Sequence, residues 1–118
     1  MPQTIDRIVD VFPSTQQNQI RLQLAGTLRA IVSQRLVPSF DKSTRYPACE
    51  IMISNPAVAS IIRENKTHLI ENVLETSAGE GMITMEKYLF NMYREGMITR
   101  DSALQYAIRT RQMRRLMT

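Results

Sequence analysis

The stretch at residues 19–38 has the most regular apolar pattern in the chain and constrains the fold more than any other. Its apolar residues recur at steps of three and four, the spacing of one face of an α-helix; they are Ile20, Leu24, Leu28, Ile31, Val32 and Leu36. Leu22 and Ala25 widen this face, so the helix has two sides to pack. We predict a single long helix over residues 14–36, roughly 35 Å long at a rise of about 1.5 Å per residue.

A strand is predicted at residues 46–53, where successive side chains would alternate between two faces. Cys49, Ile51 and Ile53 would share one face, and Ala48, Glu50 and Met52 the other. We interpret Cys49 as a small buried apolar residue. Because one strand is not stable alone, its partner is either residues 35–37 or a strand outside this sequence.

Helices are predicted on both sides of this strand. Residues 4–12 have the pattern of a short amphipathic helix. Asn55, followed by proline, favours a helix start, and Thr84 and Thr99 are predicted N-caps of two later helices. The predicted fold class is mainly α with a short β hairpin or strand. The expected organisation is helices in 1–38, a loop and strand in 39–54, a helical bundle in 55–108 and a basic tail in 109–118.

The positive charge is concentrated at one end of the chain. The net charge is +4, and residues 100–118 alone carry five Arg and one Asp. Arginines 109, 111, 114 and 115 are candidates for binding phosphate, nucleic acid or anionic lipid. No aromatic residue beyond Tyr106 interleaves with them, so we favour a solvated basic tail over nucleic-acid binding.

The sequence lacks the residues that a zinc site, a membrane-spanning segment or a phosphate loop would require. Cys49 and His68 are the only residues of their types, which is too few for a zinc site. No apolar run approaches the roughly 20 residues that span a bilayer. The four glycines have no pair at the spacing of a GxxxxGK[ST] phosphate loop. We therefore expect no cofactor in this chain and no ATP hydrolysis by it.

Residues 4–38 resemble the stretch that follows the histidine box in the PilT family, the retraction ATPases of type IV pili. The similarity rests on Thr4-Ile5-Asp6-Arg7-Ile8, Asp10-Val11-Phe12-Pro13, Gln16-Gln17, Ser33-Gln34 and Leu36-Val37-Pro38. It continues in register through ACEIMISNPAV, IIRENK and GMITMEKYLFNMYREGMIT. The resemblance covers nearly the whole chain and weakens after about Ala107.

This resemblance implies that residues 1–118 are one unit, the C-terminal helical portion of a RecA-like secretion or pilus ATPase domain. The family's phosphate loop precedes this portion, so ATP and Mg would be bound elsewhere in the parent protein. The parent would be a cytoplasmic hexamer, peripheral to the inner membrane, with membrane proteins of the pilus base as partners. The fragment itself is expected to self-associate.

The family's retraction-associated motif, AIRNLIRE, falls on an interaction segment of eight residues: Ala57, Val58, Ala59, Ser60, Ile61, Ile62, Arg63 and Glu64. Ala59 and Ser60 replace the family's Arg and Asn. The resemblance implies a role in coupling hydrolysis to retraction rather than in binding nucleotide.

Two functions follow from these observations. The first is the C-terminal part of a twitching-motility motor, which provides subunit contacts and mechanical coupling. The second is a free-standing helical adaptor or nucleic-acid-binding module that uses residues 109–115. Methionines 82, 85, 92 and 97 could form an adaptable docking surface, but we favour their packing in the core.

Overall fold

The structure is a computed structural model that describes residues 2–118. Along this range the elements are α1 (Pro2–Asp10), α2 (Gln17–Thr27), β1 (Ala30–Pro38), β2 (Arg45–Ile53), α3 (Pro56–Arg63), α4 (Ile70–Thr76), α5 (Met85–Arg94), α6 (Arg100–Tyr106) and α7 (Thr110–Met117). Two short 3-10 turns lie at Thr67–Leu69 and Ala78–Glu80. The strands pair as an antiparallel hairpin. The predicted class, mainly α with a short β hairpin, is confirmed.

The predicted long helix over residues 14–36 is wrong in its second half. Helix α2 ends at Thr27, and Leu28 has extended backbone angles of φ −66° and ψ 129°. Strand β1 follows, so the assignment of residues 1–38 to helices fails beyond α2. The β-branched Ile31 and Val32 favour a strand, and β2 pairs with this backbone. Residues 35–37, one of the two predicted partners of the strand, lie within β1.

The residues of the chain group into two compact units. The first unit contains the residues up to Ile31 and Met52–Met82. The second unit contains Val32–Ile51 and Ile83–Thr118. Each unit therefore combines two separate lengths of the sequence, and the hairpin contributes residues to both.

The first unit is held by an apolar core. Its buried members are Ile5, Ala25, Met52, Val58, Ile62, Ile70, Leu74 and Met82. Helix α2 packs against α3 and against α1. Asn55 caps α3 as predicted, because its side chain accepts a hydrogen bond of 2.8 Å from the Val58 amide.

The second unit has its own core around α5. The buried members are Val37, Ala48, Met85, Leu89, Met92, Ile98, Ala103, Ala107 and Met113. The predicted caps are confirmed: Thr84 accepts from the Lys87 amide, and Thr99 accepts from the Ser102 amide, both at 3.1 Å. Gly96 follows α5 at φ +77°, a conformation that favours glycine.

The C-terminal segment differs from the predicted solvated tail. Residues Thr110–Met117 form α7, and Met113 is fully buried in the second core. The apolar pattern is sparse here because one buried methionine faces the core while three arginines are exposed. A segment that a sequence pattern assigns to solvent is thus a docked helix.

The alternation predicted for the strand is correct, but the buried face is the opposite one. Ala48, Glu50 and Met52 have no solvent exposure, whereas Cys49 is only half-buried. The interpretation of Cys49 as a small buried apolar residue is therefore wrong, because its side chain is partly exposed. Glu50 lies on the buried face. Because an isolated carboxylate is costly to bury, its presence made that face of the strand look exposed in the sequence.

Candidate functional site

The interaction segment at residues 57–64 lies on α3 and the residue after it, in the first unit. Val58 and Ile62 are buried in the core, while Ala57, Arg63 and Glu64 are exposed. The remaining members are half-buried: Ala59, Ser60 and Ile61. The segment therefore has an anchored side and an exposed side.

The exposed end of this segment carries two adjacent opposite charges. Glu64 is the C-cap of α3, and its carboxylate lies 3.8 Å from the Lys66 amine. Both of those side chains are more than half exposed, so their ion pair contributes little to stability. Arg63 is in the last turn of α3, where a cation interacts favourably with the helix dipole. This end can make ion pairs with another surface.

A buried ion network is the strongest polar feature of the second unit. The Arg109 guanidinium donates from Nη1 to Glu50 Oε1 at 2.7 Å and to Glu86 Oε1 at 2.6 Å. Its Nη2 donates to Glu50 Oε2 at 3.1 Å. The side chains of Glu50, Glu86 and Arg109 are 0%, 2% and 9% exposed. Hydrogen bonds between ionised groups in such an environment are among the strong ones.

Backbone amides complete the network. Glu50 Oε1 accepts from the Met85 amide at 3.1 Å. Glu86 Oε2 accepts from the amides of Ile108 and Arg109 at 2.8 and 2.9 Å. Burial raises the pKa of Glu50, but the hydrogen bonds from Arg109 and Met85 outweigh it, so this pKa lies below its ordinary value of 4.5.

The network ties three elements together: Glu50 on β2, Glu86 on α5 and Arg109 just before α7. Its chemistry is structural, because salt bridges and amides engage its carboxylates. Sequence reasoning missed both glutamates and placed Arg109 in a solvated tail. The available signal was Glu50 itself, the one charged residue between Ala48 and Ile53.

The second unit also contains a cavity of about 460 Å³ beside α5. Its lining is mainly aromatic and apolar: Tyr46, Pro47, Ile83, Tyr88, Met92 and Met97, with Asn91 and Glu95 as the polar members. Of the four methionines singled out from the sequence, Met82 and Met85 are buried in the two cores, and Met92 and Met97 line this cavity.

The remaining candidates from the sequence do not form a catalytic group. His68 is exposed in a 3-10 turn, and Cys49 is half-buried on β2. Within residues 2–118, no group of three or more His, Cys, Asp and Glu residues is arranged to hold a metal ion. None of the helices described is long and apolar enough to cross a membrane.

Sequence comparison relates this chain to proteins of type IV pili. It is 42% identical over 104 residues to a twitching motility protein of Neisseria gonorrhoeae, covering 88% of this chain and 28% of that protein. It is 36% identical over 104 residues to the type IV pilus retraction ATPase PilT of Pseudomonas aeruginosa, covering 88% of this chain and 30% of that protein. The chain thus spans less than a third of the length of these relatives. No family model matches it.

The fold leads to the same group. A crystal structure of the pilus retraction motor PilT with bound ADP superposes with a TM-score of 0.86 at 35% identity. The superposition covers 98% of this chain and 32% of the PilT chain. Sequence identity and shared fold together show that this chain belongs with the C-terminal part of the PilT-family twitching-motility ATPases.

Proposed function

We propose that this chain provides subunit contacts and mechanical coupling in a type IV pilus retraction motor. The observation that carries the proposal is the superposition of 98% of the chain on a pilus retraction motor. The relatives named above are a twitching motility protein and a retraction ATPase, which supports the same process.

The interaction segment at residues 57–64 is the element that we assign to coupling. Val58 and Ile62 fix α3 in the first core. Arg63 and Glu64 are exposed at the end of the same helix. A force applied to these charges would pass into the packed core, since close-packed interiors transmit strain. Ala59 and Ser60, which replace the family's Arg and Asn, are half-buried and uncharged, so the exposed charges of this segment are those of Arg63 and Glu64.

The nucleotide chemistry of such a motor would lie outside these residues. A phosphate loop needs a glycine-rich GxxxxGK[ST] sequence that cradles phosphates with backbone amides, and this chain has no such sequence. In the proposed motor, other parts of a hexameric protein bind ATP and Mg at the cytoplasmic side of the inner membrane. This chain would carry their movement towards membrane proteins at the pilus base.

The alternative function, a helical adaptor or nucleic-acid-binding module, has less support. It depends on the arginines at residues 109–115, and Arg109 is held in the buried ion network. Three exposed arginines on one short helix remain. Binding of a protein to DNA through basic side chains releases cations from the DNA and therefore weakens as salt is added. We expect no such salt-dependent binding of duplex DNA to this chain.

A chimera tests the proposal. The matched segment of the gonococcal twitching motility protein would be replaced by this chain, and ATP hydrolysis and pilus retraction would be measured in a strain that lacks the native protein. We expect both activities. A chimera that assembles and hydrolyses ATP, but does not retract pili, would contradict the coupling role.

The same chimera tests the interaction segment. Arg63→Ala and Glu64→Ala should reduce retraction at unchanged ATP hydrolysis, because they remove exposed charges without touching the core. Glu75→Ala is the matched control, an exposed charge of the same unit that lies outside the segment. Equal retraction by all three variants would remove Arg63 and Glu64 from the coupling surface.

A further inference from the structure

The two units differ sharply in charge. The second unit carries ten Lys and Arg residues against five Asp and Glu, and the first unit carries five against six. Two of the acidic residues of the second unit, Glu50 and Glu86, are buried against Arg109. The surface of the second unit is therefore strongly basic, and its exposed carboxylates are few.

Helix α7 presents three of these basic groups on one face. Arg111, Arg114 and Arg115 are exposed, whereas Met113, on the opposite side of the helix, is buried. No acidic side chain in the described chain forms an ion pair with any of the three. Because the ion network fixes Arg109 at the start of α7, these guanidinium groups are held on a rigid element.

The cavity beside α5 has the chemistry of a cation-binding pocket. Tyr46 and Tyr88 provide aromatic rings, which attract guanidinium groups. Pro47 and Met97 provide apolar surface for the aliphatic part of an arginine side chain.

Glu95 adds negative charge to this pocket. It is the C-cap of α5, so its carboxylate adds to the negative end of the helix dipole instead of balancing it. Within residues 2–118 no basic side chain forms an ion pair with it. A cation from another molecule would relieve this unfavourable arrangement.

The pocket and the α7 contact lie on opposite sides of α5. Glu95 follows Glu86 by nine residues, which is about two and a half turns of an α-helix. Glu86 binds the backbone at the start of α7, while Glu95 lines the cavity. The arginine face and the pocket are thus separate patches of the same unit, and one copy cannot bring them together.

We propose that the pocket of one copy of this chain binds the arginine face of α7 of a second copy. Two different patches in contact make a head-to-tail interface, which closes into a ring when the rotation between copies permits. The inference deepens the proposed function, since it rests on the subunit contacts assigned there and names their residues. Its test measures self-association of the isolated chain, whereas the proposed function is tested by pilus retraction, so one proposal can fail while the other holds.

Sedimentation velocity over a range of concentrations tests this interface. The wild-type chain should self-associate, with an association that weakens as salt is added. Glu95→Arg, and separately the combined substitution of arginines 111, 114 and 115 by Glu, should each weaken it by about tenfold or more, because each places like charges in contact. Glu95→Gln should weaken it less. A wild-type chain that stays monomeric would overturn the inference.

A mixture of the two variants distinguishes this contact from a general charge effect. The pocket of the Glu95→Arg variant is basic and matches the acidic α7 of the second variant, so the mixture should associate more tightly than either variant alone. Circular dichroism checks that both remain folded, as expected for exposed positions. Association that neither variant weakens, or a mixture that associates no more tightly than either variant alone, refutes the contact.

Discussion

The two units of this protein are stabilised by different kinds of core. In the first unit, the buried cluster consists of aliphatic and methionine side chains. In the second, a comparable apolar cluster lies beside a buried network of Glu50, Glu86 and Arg109. An apolar core loses stability in proportion to the contacts removed. A buried ion network depends on all its members, because each one left alone is a buried charge without its partner.

The largest expected effect is that of Arg109→Ala, which removes the central member of the network. Both carboxylates would remain buried without their cation, and breaking such a pair costs about 3–5 kcal/mol. Urea unfolding followed by circular dichroism measures the loss. Arg111→Ala is the control at an exposed arginine, with an expected change within about 0.5 kcal/mol. Equal effects of the two variants would mean that the network does not stabilise the fold.

Leu74→Ala makes the matched change in the apolar core. Leu74 is 1% exposed and belongs to the first cluster. A buried leucine truncated to alanine costs about 2–5 kcal/mol, depending on how far the cavity collapses. The exposed Leu22 provides the control, since Leu22→Ala leaves no cavity. A Leu74→Ala loss no greater than that of Leu22→Ala would contradict a close-packed first core.

Acid should weaken the second kind of core selectively. The pKa of Glu50 is lower in the folded chain than its ordinary 4.5, so its contribution to the free energy of unfolding is present above pH 4.5. That contribution is lost as the pH falls from 4.5 through the lower folded pKa. Unfolding in urea at several pH values should show this fall in the wild type and in Leu74→Ala. Arg109→Ala should show a smaller fall in stability. A fall identical to that of the wild type would mean that Arg109 does not cause the lowered pKa of Glu50.

The helix caps should have smaller and similar effects in both units. Asn55→Ala removes the cap of α3, and Thr84→Ala removes the cap of α5. Loss of a side-chain cap costs about 1 kcal/mol, and thermal unfolding detects it. Lys66→Ala, which removes only an exposed ion pair, should cost less than either. A Lys66→Ala effect as large as a cap loss would show that surface charge contributes more than the caps do.

The helix starts could be predicted from the sequence because they depend on neighbouring residues. Asn55, Thr84 and Thr99 each cap a helix through an amide three residues on, so their signals are local. Strand β1 was missed because the same apolar spacing fits a helix, and the pairing that decides between them involves β2. The candidate coupling segment was found through a resemblance of eight residues, not through its chemistry.

The pairing of Glu50 and Glu86 with Arg109 has no local signal in the sequence. Arg109 lies 59 residues from Glu50 and 23 from Glu86. Nothing in the basic sequence around residues 109–115 separates the buried arginine from the three exposed ones. The three-dimensional structure supplies that distinction, and the proposed contact between copies depends on it.

The order of the chain through the two units limits how the protein can be divided. The polypeptide leaves one unit for the other after Ile31, after Ile51 and after Met82. A single break at any peptide bond therefore leaves neither unit alone on a continuous piece. To isolate the first unit, residue 31 would have to be joined to residue 52, and residue 51 to residue 83 for the second. A single crossover between related genes after residue 82 would transfer the first unit whole but divide the second, and one after residue 31 would transfer the second unit whole but divide the first.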